Sequence, residues 1–191
     1  MKKIVFYGDG LLCNPDGYGE QIADLLTLRH PETAFQSFHY GETELTLQAA
    51  RKDAALHVLG KAPDWVYLGL GHPDLLLSTS EATMLGHLDD LLKLILQKTR
   101  AHIVLASVCE AFLFEEAQKE AARSYNAKLS SLMDERVLFL DLNSRVNEFL
   151  IHHRRGSGEK RALHSSPLKL TSMGRVFLSH AALESLPWSN L

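Results

Sequence analysis

The sequence predicts an α/β protein, a three-layer α/β/α sandwich built on a five-stranded, mainly parallel sheet of flavodoxin-like type, and three observations lead there. Short apolar runs of strand length alternate with longer segments of helical period, the order expected when each strand feeds a crossover helix. Most of those runs are dense in Val, Ile, Leu, Phe and Tyr with little polar alternation, as in strands covered on both faces. The chain has 191 residues, 46% hydrophobic and 23% charged, enough for one sizeable core that buries roughly 70% of the unfolded surface. Residues 1–191 are therefore read as one domain.

The first strand is placed at residues 3–7, ending in Ile4-Val5-Phe6-Tyr7 before Gly8, and a helix follows over 18–28. A second strand at 34–39 carries Gln36, Ser37 and His39, a polarity that suits a sheet edge. Helical pattern over 42–59 leads to a strand at 65–69. Over 80–97, Leu88, Leu91, Leu92 and Ile95 fall at i, i+3, i+4 and i+7, so one stripe of that helix is apolar and must be buried. A strand at 102–107, a helix over 110–134, a strand at 137–141 and a helix over 143–153 complete the alternation. The polar, glycine-bearing segment 154–161 reads as a surface loop, and a last helix covers 172–185. Parallel strands joined through helices require right-handed crossovers, which leaves few topologies.

Composition excludes several classes of function. Twenty Lys and Arg against 23 Asp and Glu give a formal charge of −3, so no global field draws the molecule to nucleic acid or to an anionic membrane. Two cysteines, Cys13 and Cys109, are too few for a disulfide framework and lack paired zinc-ligand spacing. The apolar run after Lys2-Lys3 stops at Gly8, short of a secretory core, and no run reaches the roughly 18 residues of a membrane span. The expectation is a cytoplasmic protein, its partner a small molecule or another protein, with no cofactor and no metal.

In open α/β sheets, ligands bind where loops converge at the carboxyl ends of the strands. Here those loops are 8–16, 40–43, 70–74, 108–110 and the segment before the last helix. A dinucleotide fingerprint would need a third glycine at Cys13, and no glycine-lysine-serine/threonine ending of a phosphate loop occurs. Gly8 and Gly10 serve equally to let the chain leave a strand. Asp9, His72, Asp74 and His164 are potential metal ligands by residue type. Asp9 and Asp74 could instead cap helix starts. His152 and His153 precede Arg154 and Arg155 at a helix end, where positive charge is favoured in solution.

Taken together the rim segments resemble the SGNH hydrolase superfamily, the GDSL-type esterases and lipases, over nearly the whole chain. Gly8-Asp9-Gly10-Leu11 follows the first strand where the family has Gly-Asp-Ser-Leu. Gly41-Glu42-Thr43 occupies the second-strand block, and Gly71-His72-Pro73-Asp74-Leu75 the third, where the family has Gly-x-Asn-Asp. Tyr125-Asn126-Ala127-Lys128-Leu129 and Asp141-Leu142 match the approach to the last block. That block, Asp-x-x-His with Leu-Thr and a later Gly, aligns with Ser166-Pro167-Leu168-Lys169-Leu170-Thr171-Ser172-Met173-Gly174.

The resemblance implies a hydrolase framework without its chemistry. Gly10 stands at the serine nucleophile, Pro73 at the oxyanion-hole asparagine, Lys169 at the general-base histidine and Ser166 at its orienting aspartate; Gly41 alone keeps its type. Glycine has no atom that can attack a carbonyl. Proline removes a donor worth roughly 2.7–4 kcal/mol in a typical oxyanion hole. The expectation is a catalytically inactive hydrolase-like protein that binds a small molecule, anionic or carbohydrate, or acts as an interaction module. Asp9, Gly41, His72, Asp74 and Lys169 are its candidate ligand contacts, and an internal Lys169–Asp9 or Lys169–Asp74 pair is the alternative. The rival reading is an esterase of ester or acylated carbohydrate substrates that uses a rearranged site of Cys13, His72 and His164. A flavin-binding domain would share the same sheet.

Overall fold

The computed structural model describes residues 1–13, 15, 17–153 and 163–186. Five parallel strands form the sheet in the order β2-β1-β3-β4-β5: β1 (Lys2–Gly8), β2 (Phe35–Tyr40), β3 (Trp65–Gly69), β4 (His102–Ala106) and β5 (Val137–Leu140). The chain steps outward from β1 to β2 and then returns to the far side of β1 to lay down β3. This reversal makes the carboxyl ends of β1 and β3 the place where a crevice is expected.

Alternate strand residues feed two separate cores, which is why the strand sequences show no polar face. Ile4, Phe6, Trp65 and Tyr67 pack with α2 (Gly19–Arg29), α7 (Leu142–His153) and α8 (Ser172–Ser185) through Ile22, Leu26, Val146, Leu178 and Ala182. Val5, Tyr7, Val66 and Leu68 pack with α3 (Leu47–His57), α5 (Glu81–Lys98) and α6 (Glu116–Ser131). On α5 the buried residues are Met84, Leu88, Leu91, Leu92 and Ile95. They include the whole stripe expected from its spacing, each fully buried branched side chain contributing roughly 1.5–3 kcal/mol. No helix among the described residues is long and apolar enough to cross a membrane.

Two expected helices differ from the observed ones, each for a local reason. The helix expected over 42–59 begins only at Leu47, because Thr46 caps it by accepting the Ala49 N–H, and 41–46 stays a loop. The helix expected over 110–134 is broken. Glu110–Phe112 forms a 3₁₀ turn whose first N–H goes to Asn143 Oδ1, and α6 starts after a capping box of Glu115 and Gln118. The last helix has its expected bounds, with Thr171 accepting the Gly174 N–H at its start.

Three small elements were not expected: the short helices α1 (Gly10–Cys13) and α4 (His72–Leu76), and an antiparallel hairpin of β6 (His164–Ser166) and β7 (Lys169–Leu170). All three lie where candidate site residues are. The loop expected over 154–161 falls outside the described residues.

Candidate functional site

Asp9 ends β1 and organises the loop that follows. Its N–H donates to Gly69 O at the end of β3 (3.0 Å), and its carbonyl accepts from Leu12 and Cys13. Oδ1 accepts the Leu11 N–H at 3.0 Å, so the side chain caps α1. The Gly10 N–H donates to Thr43 O, tying this loop to the one after β2. Gly41 is there because nothing larger fits: a Cβ would lie 1.8 Å from Gly8 O and 2.8 Å from Cys13 Cβ.

The loop after β3 enters α4 through Gly71, at φ +122°, a conformation that suits glycine. Asp74, 2% exposed, accepts the Leu47 N–H at 3.0 Å. Burial raises its carboxyl above the usual range and that hydrogen bond opposes the rise. Asp74 thus ties α4 to the start of α3. Pro73 is buried beside it in the first turn of α4.

His72 is held at both ends of its ring. Nδ1 lies 3.4 Å from Asp9 Oδ2, both side chains being buried. Nε2 accepts the Cys109 N–H at 3.1 Å. A nitrogen that accepts carries no proton, so the imidazole proton sits on Nδ1, toward Asp9. Asp9 Oδ2 makes no hydrogen bond of its own among the described residues.

The loop after β4 is fastened on every side. Asn126 grips Val108 by both its N–H (2.9 Å) and its carbonyl (2.8 Å). Ser107 Oγ accepts the Asn143 N–H. The Glu110 carboxylate meets Arg123 at 2.6 Å and Asn147 at 2.7 Å. These contacts drive Phe112 inward to full burial. Its ring lies 4.9 Å from that of His164 and 6.2 Å from that of His72.

What remains among Asp9, Leu11, Tyr18, His72, Ser107, Phe112 and Leu178 is a cavity of about 10 Å³, room for roughly one water molecule. The crevice at the β1/β3 reversal is filled by side chains.

The other candidates lie around it. β7 packs against α1 and α8, which brings the hairpin to the same rim, with Ser166 and Lys169 exposed on it. A Cβ on Gly174 would lie 1.9 Å from Leu163 O, so the small residue there admits the hairpin. Cys13 Sγ donates to Phe6 O at 3.4 Å, and burial pushes its thiol far above the ordinary range. Burial does the same to Cys109, and both thiols are free. His164 is half-buried, its basicity lowered by burial, and its Nδ1 has no hydrogen-bond partner among the described residues.

The three residues of the rearranged-site reading are therefore engaged apart: Cys13 with a carbonyl, His72 with Asp9 and an amide, His164 with Phe112. Among the described residues no group of three or more His, Cys, Asp and Glu side chains could hold a metal ion. His152 is exposed on α7; the Arg154 and Arg155 that follow it lie outside the described residues. Sequence reasoning missed Phe112, the Cys109 amide and the Asn126 grip. The apolar Ala111-Phe112-Leu113 after the fourth strand was the one available signal.

Neither a protein-family model nor any curated protein sequence matches the chain. Solved structures do. A catalytic mutant of Axe2, an acetylxylan esterase from Geobacillus stearothermophilus, superposes with a TM-score of 0.83 at 18% identity, covering 98% of this chain and 95% of the other. A member of the lipolytic G-D-S-L family from Veillonella parvula gives 0.79 at 15% identity, over the full length of both. The fold is that of the GDSL-type esterases. Within this GDSL-type fold the loops bearing Gly10, Gly41 and Pro73 meet at the ends of β1 and β3, the hairpin bearing Lys169 flanks them, and Phe112 closes the space beneath.

Proposed function

We propose that the protein is a non-hydrolytic GDSL-fold protein that acts by binding rather than by acyl transfer. The observation that carries the reading is the environment of His72. The one nitrogen of that imidazole able to take a proton already accepts the Cys109 N–H, and among the described residues no hydroxyl or thiol hydrogen-bonds to it. A serine or cysteine nucleophile needs such a base within reach. Gly10 has no side chain, and Ser107 is turned to the Asn143 amide. The filled crevice moves ligand contact to the surfaces around it. Two cysteines without a disulfide fit work in the cytoplasm.

The test is hydrolysis of short-chain p-nitrophenyl esters by the purified protein and by its Cys13→Ala and His72→Ala variants. The expected rate for the parent protein and for Cys13→Ala is that of buffer. Saturable turnover that either substitution abolishes would establish the rearranged esterase instead.

A further inference from the structure

The cavity of about 10 Å³ at the carboxyl ends of β1 and β3 is bordered by a buried carboxylate oxygen that the chain leaves unsatisfied. Asp9 is 1% exposed. Its Oδ1 is spent on the Leu11 N–H, while Oδ2 makes no hydrogen bond among the described residues. His72 Nδ1 stands 3.4 Å from Oδ2, beyond the roughly 2.7–3.2 Å of an N–H···O bond. We infer that the cavity binds one ordered water molecule, which donates to Asp9 Oδ2 and accepts from the hydroxyls of Ser107 and Tyr18.

Ser107 and Tyr18 line the same space, and both are buried. Ser107 Oγ accepts the Asn143 N–H at 2.8 Å, and its own hydrogen has no acceptor among the described residues. The hydroxyls of Tyr18 and Tyr67 lie 3.2 Å apart, a bond that uses one of their two hydrogens. Donation from Tyr67 to Tyr18 frees the Tyr18 hydrogen for the cavity. The Asp9 carboxylate adds to the effect of burial in raising the Tyr18 hydroxyl above its ordinary range, which requires the two groups to be near each other. One buried acceptor and two buried donors thus border one small space, and none of the three is hydrogen-bonded to another.

Size and chemistry select the ligand. A water molecule needs about 10–15 Å³ of such space and about two to four polar partners. Asp9 repels an anion. A hard metal cation draws about six or more oxygens, beyond the side-chain oxygens of Asp9, Ser107 and Tyr18 that line the space. An apolar guest would leave Oδ2 bare. The water joins the loop after β1, the loop after β4 and Tyr18 at the start of α2; through Ser107 it reaches the start of α7. The site is independent of whether the protein turns over esters.

The test uses the full chain with labelled methyl groups. Magnetisation transfer from the water resonance to the methyls of Leu11 and Leu178, which line the cavity, is expected with the sign of a water bound for longer than the protein takes to tumble. Tyr18→Phe and Ser107→Ala each remove one partner and one hydroxyl that could relay the signal. Both cross-peaks are expected in each single variant and neither in the double. Loss of either cross-peak in a single variant would trace it to the hydroxyl itself, and persistence in the double variant would refute the two partners; each overturns the assignment. A crystal structure of the parent protein, grown without alkali-metal salts, keeps the test decisive if a variant does not fold. A density peak within about 3.0 Å of Asp9 Oδ2 is expected there. Absence of the cross-peaks in the parent, absence of the density peak, or a peak that appears only when alkali-metal ions are supplied would overturn the water site. Ester turnover is measured separately and bears on the non-hydrolytic reading alone.

Discussion

Asp9 and His72 form a buried pair, Oδ2 to Nδ1 at 3.4 Å, that joins the loop after β1 to the loop after β3 and, through the Cys109 amide, to the loop after β4. One imidazole thus spans three of the five loops at the rim. In a working acyl-transfer site a histidine keeps one nitrogen open toward a nucleophile. His72 gives Nε2 to the Cys109 amide and turns Nδ1 toward Asp9, which ties these loops to one another.

Removing it should cost stability. His72→Ala leaves the Cys109 N–H and the Asp9 carboxylate facing a void in a buried site, and an orphaned buried polar group costs about 1–3 kcal/mol. A loss of about 3 kcal/mol in urea unfolding is expected. Asp9→Asn keeps an oxygen for the Leu11 N–H and should lose only about 1 kcal/mol. If His72→Ala unfolds within about 0.5 kcal/mol of the parent, the pair holds nothing together.

Phe112 closes the crevice, and truncating it should reopen one. Phe112→Ala is expected to cost about 3–5 kcal/mol, the usual range for a fully buried phenylalanine. The space created between His72 and His164 is largely apolar, with Leu11, Leu178 and Tyr18 on its walls. Benzene should therefore raise the melting temperature of the variant and leave that of the parent unchanged. Equal responses in the two proteins would mean that neighbouring side chains collapse into the gap.

The fold was legible because its largest signals are periodic. The β1, β3 and β4 cores read as unbroken apolar runs, and the α5 stripe fell at helical spacing. The loops after β1, β2 and β3 were likewise placed at one rim from strand order alone. What could not be read is what those loops do with their polar groups. His72 in sequence is a lone histidine beside a proline; its two partners are 63 residues upstream and 37 residues downstream, and no local pattern joins them. Gly41 keeps its type in the resemblance, but its small size is required by Gly8 O and Cys13 Cβ, a contact between two loops that spacing cannot reveal. Phe112 falls inside the helix expected over 110–134. The Asn143 side chain, by capturing the Glu110 N–H, interrupts that helix and turns the ring inward.

The buried thiols and phenols define the alkaline limit of the protein. Burial raises Cys13, Cys109, Tyr7, Tyr18, Tyr67 and Tyr125 above their ordinary values. Groups raised on folding contribute their full stability below their unfolded values and lose it as pH rises toward the folded ones. The unfolded chain ionises first, cysteines near about 8.5 and tyrosines near about 10. Stability should hold to about pH 8 and then fall, each group that ionises only in the unfolded chain adding about 1.4 kcal/mol per pH unit. Both thiols should also resist iodoacetamide at pH 8 until urea unfolds the chain. Rapid labelling of Cys13 in the native protein would contradict the hydrogen bond to Phe6 O and revive it as a nucleophile.

The acid limb should begin with two histidines. Burial lowers the basicity of His39 and His164, while Glu20 and Asp24 pull His39 partly back. Groups depressed on folding contribute stability above their unfolded value and lose it as pH falls. The unfolded imidazoles take up protons near about 6.5 before the folded ones do, so stability should decline as the pH drops below that point. Asp74 works in the opposite sense: its raised carboxyl takes a proton in the fold before it would in the unfolded chain, which slows the decline as pH approaches the carboxylate range. His164→Phe keeps a ring against Phe112, and His39→Phe keeps one stacked on Phe6, 4.8 Å away in the parent. Urea unfolding of that double variant should show a shallower loss between about pH 6.5 and 5.5 than the parent protein. Identical slopes would place the proton uptake on other histidines and leave the packing of His164 against Phe112 indifferent to charge.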